Sequence, residues 1–167
     1  MDAVNHHGSA DASRFTDAMT SLWKHDLAPV ASAPFEPGAH ADVVVVGAGI
    51  TGLTTALELV RSGRDVAVVE RGEVAELATG SNTGKVSLLQ GTTLSGIRRH
   101  HPAGLVRAYV DANRAGFDWI ARTAAELEVP TTRRPAWTYA QGADGVAAVE
   151  AERDAALEAG LGVRAAD

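Results

Sequence analysis

The sequence contains no cysteine among its 167 residues. Without cysteine, the chain itself can form no disulfide, iron–sulfur centre or cysteine-based zinc site. Long apolar runs are missing too, because no stretch approaches the roughly 20 residues of a transmembrane helix. Residues 1–30 lack the charged-then-apolar layout of a secretory signal peptide. We therefore expect a cytoplasmic protein that does not act at a membrane.

Basic residues are outnumbered by acidic ones, 15 Lys and Arg against 21 Asp and Glu, which gives a formal net charge of −6. No long basic stripe runs along the chain, so we do not expect a nucleic acid as a partner. No motif places a His–Asp–Ser set, a paired carboxylate or a cluster of metal ligands. The sequence therefore predicts no metal site and leaves the catalytic residues unknown.

The chain does contain an ordered strand–turn–helix–strand segment over residues 42–70. The four valines of Val43–Val46 are typical of a short parallel strand that is covered on both faces. A helix is predicted from about Ile50 to Ser62, with Gly63 placed to end it, and a second strand over Val66–Val69. A dinucleotide-binding βαβ unit requires these elements in this order.

Three glycines between the strand and the helix follow the dinucleotide-binding pattern Gly47-x-Gly49-x-x-Gly52. Gly47 permits the tight turn, Gly49 lets the backbone approach a pyrophosphate, and Gly52 lets the helix lie close to the sheet. The first helical residues, Ile50 and Thr51, lie at a helix N-terminus, whose free N–H groups and dipole favour an anion. The alternative is an ordinary βαβ turn with incidental glycines.

Glu70 stands at the carboxyl end of the second predicted strand. A carboxylate at this position can accept hydrogen bonds from ribose hydroxyls, and it would repel a 2′-phosphate. The pattern therefore favours FAD or NAD over NADP as the bound dinucleotide.

The remaining sequence is less specific. Residues 1–41 are weakly patterned and rich in proline near their end, so we expect an extended or disordered segment, followed by one domain over residues 42–167. The elements predicted after Glu70 are a polar loop over Ala78–Thr93, a long amphipathic helix from near Pro102 to before Pro130, a strand over Ala136–Ala140 and a helix over Asp144–Ala159 that ends at Gly160. The apolar stripe of the long helix comprises Val106, Tyr109, Val110, Phe117, Ile120, Ala124 and Leu127.

The glycine pattern and the loop Thr79–Val86 together resemble the FAD-dependent oxidoreductases of the D-amino-acid oxidase and glycine/sarcosine oxidase superfamily. They resemble in particular a bacterial branch that often carries a C-terminal Rieske-type domain. Two further segments carry the resemblance, Ser21-Leu22-Trp23 and Asn113 to Ile120. Many relatives have His at the position of Ser81, which is a departure from the family pattern.

The resemblance implies an α/β fold, with a Rossmann-like FAD-binding βαβ unit, additional long helices and an incomplete sheet. It implies that FAD is the cofactor and that the chain is the N-terminal part of the enzyme. The resemblance assigns the FAD pyrophosphate to Gly47, Gly49, Ile50, Thr51 and Gly52. It assigns the adenosine ribose to Glu70 and places Arg71 beside the adenine end. A loop near the flavin would consist of Ser81, Asn82, Thr83 and Lys85.

The reaction implied by the resemblance is oxidation of a C–N bond in an amine or amino acid, with hydride transfer to the flavin and hydrolysis of the imine. The implied partners are this small substrate and a missing C-terminal region or a second chain. Two alternatives stay open. An NAD-dependent dehydrogenase domain would normally continue with a third βα unit soon after Glu70, and a nucleotide-binding module or truncated product would have no turnover.

Overall fold

The computed structural model describes residues 21, 28, 30–34 and 36–166. Leu22 and Trp23, which contribute to the resemblance, lie outside the described residues, as does most of the segment predicted as extended or disordered. The described residues between 30 and 41 form neither helix nor strand. The chain divides into two compact units, Met1–Gly84 and Lys85–Asp167, which we call the first and the second unit.

The first unit contains the predicted crossover. Strand β1 (Val43–Val46) leads into helix α1 (Ile50–Arg61) and then into strand β2 (Val66–Val69). The two strands are parallel, and Val43 pairs with Val66. Gly63 has a positive φ of 84°, a conformation that glycine adopts without strain. The predicted strands and the predicted helix end are therefore confirmed.

In the described residues one face of the sheet is open, although a run of valines is typical of a strand that is covered on both faces. Val43 and Val45 are half-buried on the side where α1 packs, whereas Val44 and Val46 alternate with them and are exposed. Val46 is 83% exposed. Side chains of a strand alternate between the two faces of its sheet, so the described residues cover only one of them.

The second unit is helical. Its elements are α2 (Thr93–His100), α3 (Ala103–Glu126), a 3-10 turn over Ala143–Gly145 and α4 (Val146–Glu158). The predictions of α3 after Pro102 and of a final helix are confirmed, although α4 begins two residues after Asp144. Gly160 has a positive φ of 81° and follows α4 as predicted. None of the helices in the described part of the chain combines the length and hydropathy needed to cross a membrane.

The hydrophobic core formed by the described residues lies in the second unit. It consists of Leu94, Val106, Val110, Ala155, Ala156, Ala159 and Leu161, all of which are buried. The predicted stripe on α3 is correct at Val106 and Val110 but wrong at Leu127, which is 63% exposed and follows the last helical residue. The stripe ends early because the helix stops at Glu126, before Pro130.

The sequence pattern does not predict helix α2, and its N-terminus is completed by a residue that is distant along the chain. Glu152 of α4 is only 6% exposed. Its carboxylate accepts hydrogen bonds from the backbone N–H of Leu94 at 3.0 Å and of Ser95 at 2.7 Å. The first N–H groups of a helix have no partner within the helix, so α4 supplies the acceptors that α2 lacks.

The predicted strand over Ala136–Ala140 is wrong, since these residues form no strand. Their alternating aromatic pattern suits an extended chain, but a strand also requires a hydrogen-bonded neighbour. No strand in the described residues pairs with this segment. Trp137 and Tyr139 are consequently exposed.

Candidate functional site

The turn after β1 is fixed by backbone hydrogen bonds on both sides. Gly47 has a φ of 101°, which confirms that this position needs glycine. Its N–H donates to the carbonyl of Val69 in β2 at 2.8 Å. The next residue, Ala48, is buried, and its carbonyl accepts a hydrogen bond from the N–H of Ala75 at 3.0 Å. The turn therefore has a defined position at the carboxyl end of the sheet.

Gly52 allows close packing between the first turn of α1 and the strand before it. A Cβ at this position would overlap the carbonyl oxygen of Gly47 and lie 3.4 Å from Cγ1 of Val45. One turn further along α1, Ala56 is buried. The predicted role of Gly52 in helix–sheet packing is confirmed.

The N-terminus of α1 opens toward solvent and carries no acidic residue in its first turn. Ile50 and Thr51 are both exposed. The backbone N–H of Ile50 donates to the hydroxyl of Thr79 at 2.9 Å. A Cβ on Gly49 would lie 3.3 Å from that same hydroxyl oxygen. The Thr79 hydroxyl therefore lies beside the point at which the sequence predicts a pyrophosphate.

Glu70 joins the end of β2 to the glycine turn. One carboxylate oxygen, Oε2, accepts the N–H of Ala48 at 2.7 Å, and the other, Oε1, accepts the N–H of Gly72 at 2.9 Å. The hydrogen bonds from Gly72 and Ala48 hold the pKa of this exposed carboxyl below its ordinary value, because they stabilise the charged form. Glu70 is thus an ionised acceptor beside the turn at neutral pH.

A groove of about 1200 Å³ runs along the open face of the sheet in the first unit. Its lining includes the exposed valines Val44, Val46 and Val68, much of the segment 30–41, and the charged residues Glu70 and Arg71. Clefts with an apolar lining and a few polar groups are typical of cofactor sites. The groove therefore combines an apolar surface with charged residues, Glu70 and Arg71 among them.

The loop from Thr79 to Gly84, which we call the 79–84 loop, contains three of the predicted site residues. Ser81 and Thr83 are exposed. The side chain of Asn82 is bonded to the loop itself: Nδ2 donates to the carbonyl of Thr79, and Oδ1 accepts the N–H of Gly84 at 2.6 Å. Lys85 is exposed and begins the second unit.

The first unit thus brings together the glycine turn, the N-terminus of α1, Glu70 and one residue that was not predicted, Thr79. The sequence pattern includes Thr79 in the family-like loop but assigns it no role. A threonine is a common partner for N–H groups at a helix N-terminus. This one is 29 residues from Ile50, so spacing along the sequence does not reveal the contact.

Comparison with known proteins gives a family for most of the chain. The profile of the family described as "FAD dependent oxidoreductase" matches residues 42–167. The match begins one residue before β1 and includes the glycine turn, Glu70 and all the described helices.

The chain spans less than a third of the length of each of two relatives. YhfW of Bacillus subtilis, named as a Rieske 2Fe-2S iron–sulfur protein, is 26% identical over 147 residues, which is 87% of this chain and 29% of that protein. A D-amino acid dehydrogenase of Cereibacter sphaeroides is 48% identical over 46 residues, 27% of this chain and 11% of that enzyme. No solved structure matches the chain. The family match and the geometry of the glycine turn agree, and the chain belongs to the family of FAD-dependent oxidoreductases.

Proposed function

We propose that this chain holds FAD in an enzyme that oxidises a C–N bond of an amine or amino acid. The observation that carries the proposal is the meeting of the glycine turn, the N-terminus of α1 and the Glu70 carboxylate at one end of a parallel sheet. The family match supports FAD over the alternative of an NAD-dependent dehydrogenase. Similarity to a D-amino acid dehydrogenase supports an amine or amino acid as substrate.

The pyrophosphate is assigned to the N-terminus of α1. Backbone N–H groups and the helix dipole favour negative charge at this end of a helix, and the first turn has no acidic side chain to repel it. Gly49 leaves room beside the first turn that a Cβ would narrow. Gly47, Gly49, Ile50, Thr51 and Gly52 are the residues we assign to this part of the site.

The adenosine ribose is assigned to Glu70. Each of its carboxylate oxygens accepts one backbone N–H, and a carboxylate oxygen has a second lone pair for a ribose hydroxyl. Its lowered pKa keeps the group ionised, so a 2′-phosphate would be repelled. This arrangement favours FAD over NADP-type dinucleotides, and we assign Arg71 to the adenine end of the groove.

The flavin end is assigned to Ser81, Thr83 and Lys85, which are exposed polar residues. When bound, FAD supplies the acceptor for the hydride that leaves the substrate carbon. The lysine would contribute positive charge, which stabilises negative charge on a reduced cofactor. Asn82 is not assigned to this end, because its carboxamide is bonded to the backbone of the loop on both sides.

The proposal is tested on the full-length protein by its visible absorbance and by titration with FAD, NADH and NADPH. We expect flavin absorbance, or uptake of added FAD, in preference to both nicotinamide cofactors. Under anaerobic conditions, addition of D-amino acids or N-methylated amino acids should bleach the flavin band. Tight binding of NADH without any uptake of FAD would contradict the cofactor assignment, and bound FAD that no amine or amino acid reduces would contradict the substrate assignment.

A further inference from the structure

The position of the Thr79 hydroxyl depends on the conformation of the 79–84 loop. This hydroxyl accepts the Ile50 N–H at 2.9 Å and lies within 3.3 Å of the space that a Cβ on Gly49 would occupy. A hydroxyl can accept one hydrogen bond and donate another. The Thr79 side chain can therefore bond to the helix N-terminus and present a proton to an anion beside it.

The side chain of Asn82 is hydrogen-bonded to the backbone of the same loop at two points. Its Nδ2 donates to the carbonyl of Thr79, three residues earlier, and its Oδ1 accepts the N–H of Gly84 at 2.6 Å, two residues later. The second bond is an Asx turn, and Gly84, which donates it, has a positive φ of 65°. Both ends of one carboxamide thus hold the backbone on either side of Ser81.

We propose that Asn82 is a positioning residue for cofactor binding, which acts through Thr79 rather than by touching FAD. The proposal rests on the proposed function, since it concerns the same dinucleotide site. Asparagine suits the task because it supplies a donor and an acceptor on one rigid group. Its hydrogen bond to the carbonyl of Thr79 holds the backbone of that residue. The Thr79 hydroxyl is thereby kept within hydrogen-bond distance of the first N–H of α1.

A double-mutant cycle on the full-length protein tests the proposal. The proteins compared are wild type, Asn82→Ala, Thr79→Val and the double variant, and the measured quantity is the Kd for FAD, from quenching of flavin fluorescence. We expect each single change to weaken binding about five- to tenfold, the range for one lost hydrogen bond. If Asn82 acts through the Thr79 hydroxyl, the double variant binds FAD as weakly as Thr79→Val alone, because coupled residues are not additive.

Two control variants separate positioning from folding. Thr79→Ser keeps the hydroxyl and should keep affinity within about twofold of wild type, since the hydrogen bond survives. Asn82→Asp keeps the acceptor for Gly84 but loses the donor to Thr79, and it serves as the test variant if Asn82→Ala does not fold. The Tm of each protein without FAD is measured beside the Kd.

If the two single losses of FAD affinity multiply in the double variant, the proposal is overturned, because Asn82 then acts independently of Thr79. A lowered Tm with an unchanged Kd in Asn82→Ala would overturn it as well, since the residue would then be structural only. If the wild-type protein binds no FAD, the proposed function fails and this inference fails with it. If wild type binds FAD but the losses of affinity in the two single variants multiply in the double variant, only this inference fails and the proposed function stands. The two failures are therefore distinguishable.

Discussion

The two units differ in where their stability and their chemistry lie. Among the described residues of the first unit, only Ala48 and Ala56 are buried, while three valines of its sheet are exposed. The second unit holds the seven-residue core and a buried carboxylate. Conversely, the glycine turn and Glu70 lie in the first unit. Among the described residues, the dinucleotide motif therefore lies in the unit that has fewer buried apolar side chains.

This contrast shows that a well-formed motif does not require a large local core. Backbone hydrogen bonds and close glycine contacts fix the turn, and they depend on conformation rather than on buried area. In the second unit, burial of apolar side chains supplies the stabilising free energy, at about 25 cal/mol per Å². We expect substitutions of glycine to be decisive in the first unit and substitutions of apolar side chains to be decisive in the second.

The largest effect is expected from Gly52→Ala, compared with Gly116→Ala. The new Cβ at Gly52 would overlap the Gly47 carbonyl, whereas one at Gly116 in α3 has no neighbour within 4 Å. We expect a loss of about 3 kcal/mol in the free energy of unfolding for Gly52→Ala, the upper range for overpacking, with loss of FAD binding. Gly116→Ala should stabilise by about 0.5–1 kcal/mol. Urea unfolding of both variants measures the two changes in the free energy of unfolding. Equal changes would contradict the expected difference between the two glycines.

The next effect is expected from Val110→Ala, compared with Val46→Ala. Val110 is buried in the core and Val46 is the most exposed valine of the sheet. Removal of two buried carbon atoms should cost about 2 kcal/mol, and the change at Val46 should stay within about 0.5 kcal/mol. Chemical denaturation of the two variants measures the difference. A comparable loss for Val46→Ala would show that the sheet face is covered in solution.

Two glutamates offer a closely matched pair, because each accepts two backbone N–H groups. Glu152→Gln places the NH₂ group of an amide against one of the two backbone N–H donors, those of Leu94 and Ser95. We therefore expect a loss of about 1.5 kcal/mol in stability. Glu70→Gln in the exposed turn should change stability less and FAD affinity more. Thermal unfolding and FAD titration of both variants measure the two quantities, and a reversed order would contradict the assigned roles.

The smallest effect is a pH dependence carried by Glu70. Its pKa is lower in the folded chain than its ordinary value. Its contribution to stability is therefore complete above that ordinary value, about 4.3, and is lost as the pH falls through the lowered value. Stability without FAD should fall less steeply on acidification in Glu70→Gln than in wild type. Parallel curves from pH 7 to 3 would show that the two hydrogen bonds do not stabilise the folded state.

Sequence reasoning succeeded where the signal is local. The strands and α1 follow from a valine run and from glycines whose conformational needs are met within a few residues. It failed where a partner is distant along the chain. Helix α2 depends on Glu152, 58 residues from Leu94, and the Thr79 contact with Ile50 spans 29 residues. The prediction of a strand over Ala136–Ala140 is wrong for a related reason, since an extended segment forms a strand only beside a hydrogen-bonded neighbouring strand.

The Glu152 cap has a consequence for the exchange of amide hydrogens with solvent. The first N–H groups of a helix usually exchange fast, because they have no acceptor within the helix. The amides of Leu94 and Ser95 are instead bonded to a buried carboxylate on α4. They can exchange only when α4 separates from α2, so their protection reports the free energy of that opening. Two amide signals at the start of a short helix thus measure how often the second unit comes apart.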